Sequence, residues 1–289
     1  MNCAIIGSGN IGLDLYFKCK KIKFIENISI FGRSKTSKGA LFCKKNKIKY
    51  YARGIKDLLS NLTNIQIVFD ASSASYSYLV SKKLGNILNN KYYLNLTPSK
   101  IGNYFIPYSE KIKIPNKINL ITCGGQSSIP VILEIKKLLK NNIKYVELVS
   151  SISSDSAGQA TRENIDEYLV NTESAIFKIT GIKNSKVIIN LNPANPPVNM
   201  MNSVFFELKN DLTSKNYNEI AKAINNVNIK IKKYIPNYNI KLFKNKNKKL
   251  FRLTIRVVGQ GDYLPSYAGN LDIITSAAVR FAYLIKNEK

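Results

Sequence analysis

Two groups of residues in this 289-residue chain have types and spacings that do chemistry. The first is Gly7-Ser8-Gly9-Asn10-Ile11-Gly12, a GxGxxG run placed directly after the apolar stretch Cys3 to Ile6. Where a first strand turns into a helix, the first glycine permits the tight turn and the second lets backbone approach a pyrophosphate. The third lets helix and strand pack closely. The helix N-terminus then offers N–H groups and the positive end of its dipole to phosphates. Alone, the run is a weak signal and equally describes a turn with no ligand. At the head of a chain that alternates strands and helices, it indicates a dinucleotide site.

The second group centres on Cys123. Ile118 to Thr122 reads as a strand, Cys123-Gly124-Gly125-Gln126-Ser127-Ser128 as a glycine-rich turn, and Ile129 to Lys140 as a helix. A thiol at the carboxyl end of a strand and just before a helix N-terminus is expected to have a lowered pKa and to be reachable by substrate. Neighbouring backbone N–H groups are expected to stabilise an oxyanion on a carbonyl carbon attacked by sulfur. By contrast, Cys3 sits inside an apolar run, and Cys19 and Cys43 sit in helical, lysine-rich stretches with no chemical setting. The chain has no histidine, which excludes Ser-His-Asp and Cys-His hydrolases and any other imidazole mechanism. A thiol, a nicotinamide cofactor and no histidine leave a narrower chemistry. Sulfur adds to an aldehyde, hydride leaves, and the resulting thioester passes its acyl group to a second thiol.

Strand candidates at Cys3 to Ile6, Ile28 to Phe31, Ile67 to Phe69, Tyr92 to Leu96 and Ile118 to Thr122 alternate with helical stretches, the first at Ile11 to Lys20. Short Ile-, Val- and Leu-rich runs separated by helices predict an α/β fold with a doubly wound parallel sheet. From about Lys144 the strands lengthen (Tyr145 to Ser153, Lys186 to Leu191, Ser203 to Leu208, Leu250 to Val258). Helices are expected at Arg162 to Ile179 and Ser214 to Tyr234. This reads as a second, α+β domain. The boundaries expected are 1–123, 124–258 and a C-terminal segment, 259–289, whose helix from Asn270 to Lys286 packs back on the first domain. The second strand ends in Phe31-Gly32-Arg33-Ser34 rather than in the acid that would bind the adenosine ribose, so NAD is not enforced over NADP. Three roles stay open for Arg33: tolerating a 2′-phosphate, stacking on adenine, or facing solvent.

Composition bounds the class. A hydrophobic fraction of 45% and a charged fraction of 21% are those of a globular protein. Four cysteines without a CxxC pair or a histidine give neither a disulfide framework nor a metal site. The start, MNCAIIGSGNIG, has no basic leader or cleavage site, so no signal peptide is expected. No apolar run approaches the ~20 residues of a membrane span, and a soluble, cytoplasmic protein is expected. The net charge of +26 raises nucleic acid as a partner. The lysines are scattered, however, and accompany an excess of Asn and Ile that share A/T-rich codons. Only Lys244 to Lys249 forms a basic cluster, and it reads as a polar hairpin tip. No nucleic-acid or membrane partner is expected.

The segments AIIGSGNIGLDL, IVFDASSASY, LNLTPSKIG, INLITCGGQSSIP, SISSDSAGQATRENIDEY, IINLNPANPP and GQGDYLPSYAGNLDIITSAA run in order almost end to end. Together they are similar to the acylating acetaldehyde dehydrogenases, which partner 4-hydroxy-2-oxovalerate aldolase in the degradation of aromatic compounds. The resemblance implies a Rossmann domain plus a dimerisation and catalytic domain like that of glyceraldehyde-3-phosphate dehydrogenase, in a homodimer or hetero-oligomer. It implies conversion of acetaldehyde, NAD and coenzyme A into acetyl-CoA and NADH. Carried over by position, it puts the cofactor turn on Ser8, Gly9, Asn10 and Ile11 and the nucleophile on Cys123. A second cofactor loop falls on Ser154-Asp155-Ser156-Ala157-Gly158-Gln159-Ala160-Thr161-Arg162, and a C-terminal cofactor contact on Asn270. Local sequence alone reads Thr161 and Asn270 as helix N-caps, and Asp262-Tyr263 as a turn.

Two departures bear on activity. Gln159 and Ala160 stand where the family has proline and glycine, which implies a less rigid loop and an altered cofactor affinity. Met201-Asn202 stands where the family has an Arg-Asp pair, whose acid is its polariser or base. Asn202, placed by the resemblance in the catalytic set, hydrogen-bonds but cannot accept a proton. The alternative to an active enzyme is therefore a catalytically weakened, cofactor-binding scaffold that partners an aldolase.

Overall fold

The computed structural model describes residues 1–88, 91–99, 101–108 and 114–288; Lys100 of the LNLTPSKIG segment lies outside them. The chain forms two compact units. One comprises Met1–Leu120, Asp262–Leu264 and Ile274–Lys289, the other Ile121–Gly261 and Pro265–Ile273. Cys123 thus falls in the second unit.

The first unit runs β1 (Asn2–Ile6), α1 (Asn10–Lys20), β2 (Asn27–Phe31), α2 (Lys38–Lys45), β3 (Tyr50–Tyr51), α3 (Ile55–Asn61) and β4 (Ile67–Asp70). It continues through α4 (Ala74–Leu84), β5 (Tyr92–Asn95), β6 (Asn103–Phe105) and β7 (Lys117–Leu120). The strands lie in the order β3-β2-β1-β4-β5-β7-β6, every pair parallel. Strand order reverses between β1 and β4, the switch point at which such sheets open a crevice for ligands. The short β3 and β6 are too brief to leave a periodic signal. Ala4, Ile6 and Val68 pack with Leu58, Val80 and Leu84 in a buried cluster. The wholly buried Asp14 of α1 takes Lys18 at 2.9 Å and the Thr275 hydroxyl at 2.5 Å, while Lys18 also reaches Asp262 at 2.8 Å. These bonds join residues distant in sequence into one unit.

The second unit runs α5 (Cys123–Leu139), β8 (Ile143–Ser153), α6 (Gln159–Glu163), α7 (Ile165–Thr180), β9 (Ser185–Asn192) and β10 (Met200–Leu208). After these come α8 (Ser214–Lys232), β11 (Tyr238–Lys244), β12 (Leu250–Val257) and the start of α9 (Gly269–Glu288). Its sheet, β11-β12-β10-β8-β9, is mixed, with only β8 and β9 parallel. β10 alternates strictly, burying Met200, Asn202, Val204, Phe206 and Leu208. α5 packs against α7 and α8 and lies on β8 and β10. A doubly wound parallel sheet followed by an α+β unit is the fold class the sequence indicates.

Three local expectations are corrected. The glycine-rich stretch is not a loop before a helix at Ile129; it forms the first turns of α5, which starts at Cys123. Thr122 caps that helix by accepting the Gly125 N–H at 3.2 Å, a contribution of about 1 kcal/mol. A Cβ on Gly124 would collide with Ser150 Oγ and the Tyr168 hydroxyl, so close packing outweighs glycine's low helix propensity. Thr161 is not an N-cap but lies inside α6, whose capping position is Gly158. Asn270 likewise sits within the first turn of α9.

Candidate active site

In the first unit, Gly7 adopts φ +101°, and a Cβ there would crowd the Ala71 backbone. A Cβ on Gly12 would drive into the Gly7 carbonyl oxygen. Turn and helix can meet only as glycines. No side chain caps α1, so its first-turn N–H groups lack a side-chain acceptor, as at an anion site. Beside the turn lies a cavity of about 320 Å³ lined by Ile6 to Gly9, Phe31 to Ser34, Ser37, Ala71 to Ser73 and Tyr76. Ser8 and Gly9 line it, while Asn10 and Ile11 open the helix alongside. Ser72 is held by the wholly buried Asp70, which accepts its N–H at 3.0 Å and the Tyr93 hydroxyl at 2.7 Å. Burial raises the Asp70 carboxyl above the usual range. The glycines of the turn and the uncapped helix end fit the phosphates of a nucleotide.

In the second unit, Cys123 is half-buried. Its Sγ lies 3.7 Å from the hydroxyl of Tyr168, a residue of α7. That hydroxyl also accepts the Gly124 N–H at 3.0 Å and donates to Ser150 Oγ at 3.3 Å. One turn along α7, Thr172 meets Thr122, hydroxyl to hydroxyl, at 2.5 Å. Burial pushes the Cys123 thiol up to about 11, against the pull of the Tyr168 hydroxyl and of the Gly124 and Cys123 N–H groups. Burial also holds the Tyr168 hydroxyl well above its ordinary range. The expected lowering of the thiol pKa is therefore reversed, because desolvation of the thiolate outweighs the helix N-terminus. The expected oxyanion donors are also engaged: Gly124 N–H is taken by Tyr168 and Gly125 N–H by Thr122.

Asn202 is wholly buried on β10. Its amide donates to Ser128 Oγ at 2.9 Å, to Ser127 Oγ at 2.5 Å and to the Gly124 carbonyl at 3.4 Å. It therefore holds the first turns of α5 in place. The loop after β8 is braced by Arg162, which donates to the Ala157 carbonyl at 3.0 Å and to the Ser154 carbonyl and hydroxyl at 2.9 Å. Asn270 reaches this loop through the Ser156 carbonyl at 3.4 Å, and its buried Oδ1 has no partner. An orphaned amide oxygen beside such a loop is what a bound carboxamide would satisfy. Sequence reasoning misses Tyr168, Ser150 and Thr172. Their signal is faint: Tyr168 and Thr172, four apart, put two hydroxyls on one buried helix face.

Among the described residues, no helix is long and apolar enough to cross a membrane, and no group of three Cys, Asp or Glu side chains is disposed to hold a metal. A family model described as prokaryotic acetaldehyde dehydrogenase, dimerisation, matches residues 123–265. The acetaldehyde dehydrogenase of Carboxydothermus hydrogenoformans is 41% identical over 98% of this chain and 92% of its own. That of Bacillus cereus is 38% identical, covering 100% of this chain and 96% of its own. The crystal structure of aspartate semialdehyde dehydrogenase II from Vibrio cholerae, complexed with ASA, matches with a TM-score of 0.66 over 99% of this chain and 98% of that one. At 11% identity it shows the shared two-unit fold alone. The chain belongs to the acetaldehyde dehydrogenase family.

Proposed function

We propose that the chain converts acetaldehyde to acetyl-CoA, with NAD as hydride acceptor and coenzyme A as acyl acceptor, through a thioester on Cys123. The observation that carries this reading is the half-buried thiol at the start of α5, set against the Tyr168 hydroxyl. The glycine-turn cavity and family membership support it. Ser8, Gly9 and the first turn of α1 would hold the pyrophosphate; the family resemblance assigns further cofactor contacts to the Ser154–Arg162 loop and Asn270. The bound cofactor supplies a hydride acceptor.

Cys123 Sγ bonds to the aldehyde carbonyl carbon and gives up its proton. Loss of hydride from that carbon leaves the acyl group on sulfur, and the coenzyme A thiol then takes it and restores Cys123. The Tyr168 hydroxyl, 3.7 Å from the sulfur and bonded to Ser150, can shuttle that proton, and each turnover releases one proton to solvent. Asn202 acts as a positioning residue, through Gly124, Ser127 and Ser128. The sheet face opposite α5 exposes Ile188, Met201 and Phe205; with the dimerisation model over this region, it supports a homodimer. A 4-hydroxy-2-oxovalerate aldolase as source of acetaldehyde, and a cytoplasmic setting for four free thiols, complete the reading.

The test is NADH formation from acetaldehyde, NAD and coenzyme A by wild type and Cys123→Ala. A loss of at least about 10³-fold is expected in the variant; equal rates would sink the assignment. Asn202, which cannot take a proton, favours a second reading as a cofactor-binding scaffold. Co-purification with an aldolase, together with no acylated Cys123 by mass after aldehyde and NAD, would select it.

A further inference from the structure

We propose that the nucleotide cavity accepts a 2′-phosphorylated adenosine ribose, with Arg33 as the cation that meets the phosphate, so that the chain takes NADP no less readily than NAD. This rests on the reading of the cavity as a dinucleotide site. In folds built on this glycine turn, the segment after the second strand faces the adenosine ribose. A carboxylate there hydrogen-bonds the 2′-hydroxyl and repels a 2′-phosphate, and an arginine does the reverse. Here the segment is Arg33-Ser34-Lys35-Thr36-Ser37-Lys38, with three cations, three hydroxyls and no acid. Neither Asp nor Glu is among the residues that line the cavity.

The geometry holds this segment against the phosphate turn. Gly39, in the first turn of α2, approaches the Ser8 carbonyl so closely that a Cβ would not fit. The Tyr50 hydroxyl donates to the Ser34 carbonyl at 2.6 Å. Ser34 Oγ accepts the N–H groups of Thr36 and Ser37, both at 3.1 Å, and Ser37 Oγ accepts that of Ala40 at 3.2 Å. On this fixed frame the exposed Arg33 guanidinium rests over the Tyr76 ring, 4.6 Å from its centroid. The Tyr76 hydroxyl is itself anchored by the Ile55 N–H at 2.9 Å. Arg53 shows the contrast: its guanidinium is spent on Asp57 at 2.7 Å. An aromatic face orients Arg33 without neutralising it, and a planar guanidinium suits a phosphate's paired oxygens.

The test uses probes that carry no nicotinamide and need no turnover. Calorimetric titration of the full chain with 5′-AMP, 2′,5′-ADP and 3′,5′-ADP compares one extra phosphate at two positions. The 3′,5′ isomer matches the adenosine end of coenzyme A. We expect 2′,5′-ADP to bind about tenfold or more tighter than 5′-AMP and tighter than 3′,5′-ADP. Arg33→Ala should bring it down to the 5′-AMP level, and Ser34→Asp should invert the preference. Equal binding of the two bisphosphates would reduce the effect to the net charge of +26 and overturn the proposal. So would a preference that survives Arg33→Ala. If 5′-AMP binds without any gain from the 2′-phosphate, the proposal fails and the dinucleotide cavity stands. If none of the three binds, both fail.

Discussion

The glycine-turn cavity and the thiol site are built from opposite materials. The cavity is made by backbone: a left-handed Gly7, a glycine contact between turn and helix, and an uncapped helix end. It is open, and it has a cationic segment on one wall. The thiol site is made by side chains from Thr122, Ser150, Tyr168, Thr172 and Asn202, drawn from four places in the second unit: the cap of α5, β8, α7 and β10. These side chains take up the helix-end N–H groups that backbone geometry would otherwise leave for a ligand. The cavity keeps its binding capacity outward, and the thiol site turns its capacity inward to hold one sulfur whose pKa burial drives up.

The largest way to break the comparison is at Gly12. If the cavity depends on backbone contact, Gly12→Ala must push α1 away from the turn, since the new Cβ meets the Gly7 carbonyl rather than a side chain that can yield. Overpacking of this kind costs about 1–3 kcal/mol or more, and dinucleotide affinity should fall by roughly 100-fold, the equivalent of about 2.7 kcal/mol. Calorimetric titration with NAD and a thermal unfolding curve read the two effects. Unchanged affinity would show that the turn's close packing is not what forms the site.

The same contrast explains what could be read from the sequence. Gly7 to Gly12 was legible because conformational demands restrict residue type at fixed spacing, and Cys123 because a strand, glycines and a helix follow in order. The fold class was legible from the alternation of short apolar runs with helices. The start of α5 was not, because Gly124 and Gly125 are poor helix formers whose place is secured by Ser150, Tyr168 and Thr122. Nor was the sign of the thiol's shift: it depends on how deeply α7 and β8 bury the sulfur, a tertiary quantity. Asn202 shows the same limit. The alternation of β10 makes it inward-facing, but only the packing of α5 on β8 and β10 decides that it meets Ser127 and Ser128.

Asn202→Leu sharpens the comparison at smaller amplitude. The substitution keeps the volume but removes the donors to Ser127 Oγ, Ser128 Oγ and the Gly124 carbonyl in a site without solvent. A loss of about 1–3 kcal/mol in unfolding free energy is expected, measured by urea titration with an unchanged m-value. Aldehyde oxidation should fall with it, because the start of α5 carries the nucleophile. Full stability would mean that the serine hydroxyls re-pair among themselves and that Asn202 does not position the helix.

The finest test concerns the thiol itself. With its pKa near 11, the thiolate fraction at neutral pH is about 100-fold below that of an ordinary thiol near 9. Iodoacetamide labelling of Cys123, followed by peptide mass with Cys123→Ala as background, should rise about tenfold per pH unit and level off only near pH 11. The sign for stability follows. The folded thiol holds its proton more tightly than the unfolded one, so its contribution is whole below about pH 9 and is lost as pH rises to about 11. Tyr168→Phe removes the hydroxyl that lowers this pKa, so the labelling curve should move to higher pH and the rate at pH 8 should fall a few-fold. A merely structural tyrosine would alter unfolding and leave the labelling pH profile in place. A faster rate in the variant would show the Tyr168 ring hydroxyl to be a plug over the sulfur rather than its hydrogen-bond partner.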